Sequence, residues 1–141
     1  MNRQLSLLCA VVAFAWTGLA GAAQLACGIT PGTLGSGTTG TCTTNIPAFS
    51  YSASYVVTGL APGSYDFSWS RTVTPGFHLE PQLSCTTDTC SQALSAWHLD
   101  ASETVTVVIT NTATNAQTTL TRDVAIGAVC PNALGSGYAW C

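Results

Sequence analysis

Apolar and polar residues alternate with a period of two along much of the chain, most clearly in Thr104–Ile126. Val105, Val107 and Ile109 alternate there with Thr104, Thr106 and Thr110, the pattern of a strand with one buried and one solvated face. The polar run Thr112–Gln117 predicts a turn, with Asn115 as the residue best able to take a positive φ. Leu120, Val124 and Ile126 then resume the alternation. Arg122 falls on their parity, which predicts either a bulge that re-phases the strand or a guanidinium that leaves the sheet at an edge. A hairpin alone is marginal, so its apolar face requires a second sheet as cover.

The remaining chain supplies candidates for that cover. Phe49, Tyr51, Ala53, Tyr55 and Val57 share one parity against Ser50, Ser52 and Ser54. Ala61-Pro62-Gly63-Ser64 matches a type II turn, with Pro at its second position and Gly at its third. Tyr65, Phe67, Trp69 and Val73 then oppose Ser64, Asp66, Ser68, Ser70 and Thr72, with Arg71 on the apolar side near the strand's end. Phe77, Leu79 and Leu83 predict a shorter strand that Pro81 marks as an edge. Ser91–Trp97 reads equally as one helical turn or the start of a strand. Gln24–Asn45 is rich in Gly and Thr and reads as a loop. Its PGTLGSG run (Pro31–Gly37) is echoed by PNALGSG (Pro131–Gly137), each copy lying between two cysteines. About seven short strands separated by turn signals predict an all-β antiparallel β-sandwich with disulfide-closed loops.

Composition places this fold in a compartment. Met1–Gln4 carries one Arg, Leu5–Leu19 is apolar, and Ala20-Gly21-Ala22-Ala23 offers small residues for cleavage, which reads as a signal peptide over residues 1–23. The mature chain keeps about 118 of the 141 residues, the size of one domain, with no membrane span expected in it. It also keeps six cysteines, Cys27, Cys42, Cys85, Cys90, Cys130 and Cys141. An even set behind a signal peptide predicts three disulfides in an oxidising compartment, extracellular or periplasmic. Each cysteine has a neighbour in sequence across a turn-rich loop, so the expected pairing is Cys27–Cys42, Cys85–Cys90 and Cys130–Cys141. A rival pairing joins Cys27 or Cys42 to the C-terminal cysteines. The expected organisation is a Gly/Thr-rich segment with a disulfide-closed loop over 24–48, a sandwich over 49–129 and a disulfide-closed loop over 130–141.

Charge narrows the function. The chain has no Lys, and the mature part sets Arg71 and Arg122 against six acidic residues, a net charge of −4. Charged residues make up 6% of the sequence, against about 25% in ordinary globular proteins. Nothing in such a chain neutralises a row of phosphates, so nucleic acid is excluded as a partner and anionic membrane surfaces are disfavoured.

The segment YVVTGLAPGSYDFSWS, followed by SETVTVVITNTATNAQTTLTRDVAI, resembles the bacterial immunoglobulin-like modules of the PKD type. In those modules an aromatic Y-x-F-x-W strand follows an early turn, and a hairpin of the form TVTVxVTN…TT closes the domain. The resemblance spans roughly residues 49–126 and implies an immunoglobulin-like antiparallel β-sandwich. Modules of this kind mediate adhesion or act as spacers beside enzymes.

Chemistry is sparser. Phe77-His78-Leu79-Glu80 and Trp97-His98-Leu99-Asp100 share an aromatic-His-Leu-acid pattern. On a strand, each would place an imidazole beside a carboxylate, and His78, Glu80, His98 and Asp100 together would suit zinc or copper. No argument brings the two motifs together, so no metal and no other cofactor is expected. No G-x-S-x-G elbow occurs, and Asp66, Glu80, Asp88, Asp100, Glu103 and Asp123 all read as strand-surface or turn positions, so no enzyme activity is expected. Tyr65, Phe67 and Trp69 read as core. Tyr138 and Trp140 lie outside any alternating strand, in the terminal cysteine loop, where they serve either as a stacking surface or as a plug folded over the sandwich end. The expected function is a secreted bacterial binding or structural module for a protein or glycan partner outside the cell, with self-association open to it. The alternatives are a disulfide-rigid inhibitor of an extracellular hydrolase, or a small secreted metal-binding protein or enzyme.

Overall fold

The computed structural model describes residues 22–32, 37–73, 83–133, 135 and 137–141. The predicted signal peptide lies almost wholly outside them, as do the Phe77–Gln82 part of the predicted edge strand, with His78 and Glu80, and parts of both echoed loops. Among the described residues the chain is all-β: β1 (Gln24–Thr30), β2 (Tyr51–Thr58), β3 (Tyr65–Val73), β4 (Thr89–Leu94), β5 (Ala101–Asn111), β6 (Gln117–Ile126), β7 (Val129–Pro131) and β8 (Tyr138–Trp140).

The strands form two antiparallel three-stranded sheets, β1-β2-β4 and β3-β5-β6, with β7-β8 as a separate hairpin. The period-two reading holds in the central strands. Tyr51, Ala53, Tyr55 and Val57 are buried, whereas Ser52 and Ser54 face solvent, and in β5 Val105, Val107 and Ile109 are buried. Trp69 is buried, while Tyr65 and Phe67 are half-buried against the core's margin. Asn115 takes φ 57 in the β5–β6 turn, and the Asn111 side chain accepts from the N–H groups of Ala113 and Thr114.

Several expectations are corrected. Gln24–Thr30 is a strand, not a loop: Leu25, Cys27 and Ile29 are buried and β1 pairs along β2. Ser91–Leu94 belongs to β4, which rules out the helical turn. The bend at Pro62-Gly63 is not type II, since that turn needs a positive φ at Gly63 and the positive φ falls at Gly59 instead. Phe49 lies before β2 and is 53% exposed, so it leaves the core parity assigned to it. Arg122 neither bulges nor leaves: it pairs in register with Val105 and is 4% exposed.

The inward faces of both sheets contribute to one core, from Leu25, Tyr55 and Leu94 on one side to Trp69, Val107 and Val124 on the other. The two ladders are joined through Cys42. It is fully buried and bonded to Cys27 of β1. Its N–H donates to Asp123 O at 2.8 Å and its carbonyl accepts from Ala125 N at 2.9 Å, as a short parallel bridge onto β6. The other bridges are Cys85–Cys90 and Cys130–Cys141, so all three pairs are the sequence-local ones and the rival pairing is not formed.

A polar group also spans the core. Tyr55 Oη on β2 donates to Glu103 Oε1 on β5 at 3.2 Å and accepts from Gln92 Nε2 on β4 at 2.7 Å. Gln92 Nε2 also donates to Glu103, and Arg71 on β3 donates to the Gln92 carbonyl. Glu103 is 3% exposed on the face of Val105 and Val107, which corrects its assignment to the strand surface. Burial is the main cause that raises its carboxyl pKa, against the lowering effects of Gln92, Tyr55 and Arg71. The Tyr55 hydroxyl is likewise raised, first by burial and then by the Glu103 charge.

Two outcomes follow from this interior. Replacing Cys27 and Cys42 together by Ala removes a bridge with a sequence separation of 15, and should lower stability in urea unfolding by about 3 kcal/mol. Glu103 is raised above its unfolded value, so its contribution to stability is complete below the unfolded carboxyl pKa and is lost as pH rises through the folded one. Glu103→Gln should therefore gain on wild type as pH is raised from acid to neutral; a stability difference independent of pH would contradict the assignment.

Candidate binding surface

The terminal hairpin is built from few residues and held at several points. Val129 is 1% exposed and anchors it in the core. Its N–H donates to Ala96 O at 2.8 Å, and its carbonyl accepts from His98 N at 3.0 Å. Asp100 Oδ1 accepts from Ala128 N at 2.8 Å, and Cys141 N donates to Ala128 O at 2.9 Å. The Cys130–Cys141 bridge closes the hairpin. Gly137 turns the chain at φ 93, and its counterpart in the echoed run, Gly37, also has a positive φ of 132. Side chains at i and i+2 of a strand share a face, so Tyr138 and Trp140 stand together while Ala139 points the other way.

Both aromatics lie outside the core, at 41% and 42% exposure. Tyr138 joins Phe49 at 6.0 Å between ring centroids and Trp97 at 6.2 Å, and Phe49 meets Trp97 edge-on at 5.4 Å. These separations are those of interacting aromatic pairs. The Trp140 ring lies on Gly127, where an added Cβ would meet Cε3 at 3.4 Å. The indole therefore lies close beside the backbone at Gly127, and two fifths of the residue stays open to solvent. Phe49, Trp97 and Tyr138 thus hold one another in a ring cluster, and Trp140 stands on the same hairpin, closed by a disulfide and backbone hydrogen bonds.

The sequence pointed to Tyr138 and Trp140 as the exposed aromatics of this loop but missed Phe49 and Trp97 as companions of Tyr138. Phe49 carried a misleading signal, because its parity matched that of β2. The metal constellation does not assemble in the described part. Trp97–Asp100 is not a strand, and His98 has φ 60, so the argument that residues two apart share a face fails there. His98 Nδ1 turns to Cys130 Sγ at 3.4 Å while Asp100 caps Ala128 N. His98, Cys130 and Cys141 lie close together, but both sulfurs are committed to a disulfide and offer no thiolate to a metal. Asp66, Asp88, Asp100 and Asp123 are exposed, as expected, and Glu103 is the acid that is not. A further open depression of about 460 Å³ is lined by Leu60, Pro62, Tyr65, Phe67, Thr87 and Asp88. It brings one carboxylate together with hydroxyls and no nucleophile–base pair.

No protein-family model, curated protein or solved structure matches this chain. The functional reading rests on the chain's own geometry.

Trp140→Ala should cost about 1–2 kcal/mol in urea unfolding, below the roughly 3–5 kcal/mol of a fully buried aromatic, because only part of the indole is packed. A loss at the upper end of that range would mean that Trp140 plugs the fold.

Proposed function

We propose that this chain is a secreted bacterial module of immunoglobulin-like β-sandwich architecture that binds a protein or glycan partner outside the cell and does no chemistry on it. The observation that carries the reading is the pairing of Tyr138 and Trp140 on one face of a disulfide-closed hairpin anchored through Val129. Rings already fixed by their surroundings lose little conformational entropy on contact, so their stacking energy is available to the partner. Tyr and Trp also combine a large apolar face with a polar edge, which suits pyranose rings and the anchoring pockets of protein partners alike.

Other features support the same assignment. Two antiparallel sheets with inward faces in one core agree with the resemblance to PKD-type modules, and Trp69 of the Y-x-F-x-W strand packs on Tyr55 at 6.3 Å between centroids. Three disulfides suit an oxidising compartment. Among the described residues no helix is long and apolar enough to cross a membrane. Outward positions are rich in Ser and Thr, as at Ser52, Ser54, Ser68, Ser70, Thr119 and Thr121, with the exposed charge carried by a few Asp side chains and no Lys.

Immobilised wild-type protein and a Tyr138→Ala/Trp140→Ala variant, exposed in parallel to culture supernatant and cell-wall polysaccharide, test the proposal. Wild type should retain a protein or glycan that the folded variant retains at least tenfold less, the loss from removing about 1.4 kcal/mol or more of binding energy. Equal retention by the two proteins would overturn the assignment of the surface.

A further inference from the structure

The base of the hairpin brings an imidazole against a disulfide. His98 Nδ1 is 3.4 Å from Cys130 Sγ, and His98, Cys130 and Cys141 place their side-chain N and S atoms within 4.8 Å of one another. The two sulfur-bearing residues differ in access: Cys141 is exposed and Cys130 half-buried. His98 is itself exposed, with its place set by its backbone angle and two contacts. Its backbone takes φ 60, its N–H donates to Val129 O at 3.0 Å, and its ring stands edge-on to Trp97 at 4.5 Å between centroids. Left-handed backbone is uncommon outside glycine, though His and Asn are enriched in it. Here that conformation points the imidazole at sulfur. The bridge that joins the two sheets is placed differently, since Cys27 and Cys42 are 3% and 0% exposed.

We propose that Cys130–Cys141 is an exchangeable disulfide that accepts an external thiol at Cys141, with His98 as the acid that receives the leaving sulfur. The incoming thiolate attacks Cys141 Sγ, the accessible end of the bridge. A new S–S bond forms between the external sulfur and Cys141 as the Cys130–Cys141 bond breaks. The electron pair of the broken bond goes to Cys130 Sγ, and the imidazolium of His98 transfers its Nδ1 proton to it. The products are a mixed disulfide on Cys141, a thiol on Cys130 and a neutral His98. The number of disulfides is unchanged, so no oxidant or reductant besides the thiol is needed. Exchange runs faster when the leaving thiolate is stabilised, and a cationic imidazole beside a sulfur does this. The reverse reaction uses the same atoms: Cys130, deprotonated by His98, attacks Cys141 Sγ of the mixed disulfide and releases the external sulfur as its thiolate.

Oxidised full-length protein is incubated with reduced glutathione, quenched by thiol alkylation at intervals and mapped by peptide mass spectrometry; a parallel arm uses a cysteine-bearing peptide. The first products should carry the added thiol on Cys141 and the alkyl group on Cys130, before any change at Cys85 or Cys90. Adduct formation with glutathione assigns the site to small thiols, and formation with the peptide alone assigns it to polypeptide thiols; formation with neither overturns the proposal. Initial attachment on Cys130, or earlier opening of Cys85–Cys90, also overturns it, and this regiochemistry is read on wild type without any substitution. His98→Asn keeps a residue suited to φ 60 and removes the acid. It should slow opening of Cys130–Cys141 on the order of 3- to 10-fold and leave the rate at Cys85–Cys90 unchanged. An unchanged rate at Cys130–Cys141 would remove His98 from the reaction.

Discussion

The bond between Cys27 and Cys42 holds together two sheets that form separate hydrogen-bonded ladders. Cys27 belongs to edge strand β1 of one sheet, and Cys42 lies on β6 of the other through two backbone hydrogen bonds. The covalent link therefore acts where the ladders themselves do not connect. Its neighbours depend on it. Thr44, two residues on, donates to Pro31 O at 2.6 Å, and its side chain occupies the space that any Cβ at Gly32 would need, at 1.9 Å. The described residues 38–45 thus lie outside the eight strands and are held to them through Cys42 and Thr44.

Across the core the sheets are aligned by polar contacts as well as by apolar packing. Tyr55 and Gln92 come from one sheet, Glu103 and Arg71 from the other, and their hydrogen bonds link the two sheets through Glu103 Oε1 and the Gln92 amide. Apolar contact alone tolerates sliding, whereas directional bonds do not. The cost is desolvation of a carboxylate, visible in the raised pKa of Glu103. In a chain with only 6% charged residues, placing Glu103 and Arg122 in the interior leaves the outer faces with hydroxyls as their main polar groups and a few Asp carboxylates as their charge.

The terminal hairpin inverts the logic of the core. It buries Val129 and little else, so its order comes from a disulfide and from hydrogen bonds to Ala96, His98, Ala128 and Asp100. With order of that origin, Tyr138 and Trp140 are only partly packed and stay about two fifths exposed. Phe49 and Trp97, brought from distant parts of the chain, gather around Tyr138. The same economy leaves the closing disulfide near solvent, where His98 reaches it.

The alternation of Val, Tyr and Trp with Ser and Thr determined β2, β3, β5 and β6, because a period of two assigns side chains to opposite faces without reference to any other part of the chain. The spacing of the cysteines likewise pointed to the three bridges, and Asn115 marked its turn, since each is a local matter of chain closure or backbone conformation. Tertiary structure decided what periodicity does not contain. Glu103 and Arg122 shared the parity of buried neighbours, but only the packing of the opposite sheet supplied Glu103 with partners and made an interior position possible. Leu25, Cys27 and Ile29 alternate too briefly among glycines to declare a strand, and β1 exists because the edge of β2 was there to pair with it. Phe49 shared the phase of β2 yet lies outside it, and His98 met a sulfur 32 residues away and not the carboxylate two residues away. Face assignment is a property of neighbours along the chain; burial, strand order and the meeting of side chains are properties of what the folded chain places on the other side.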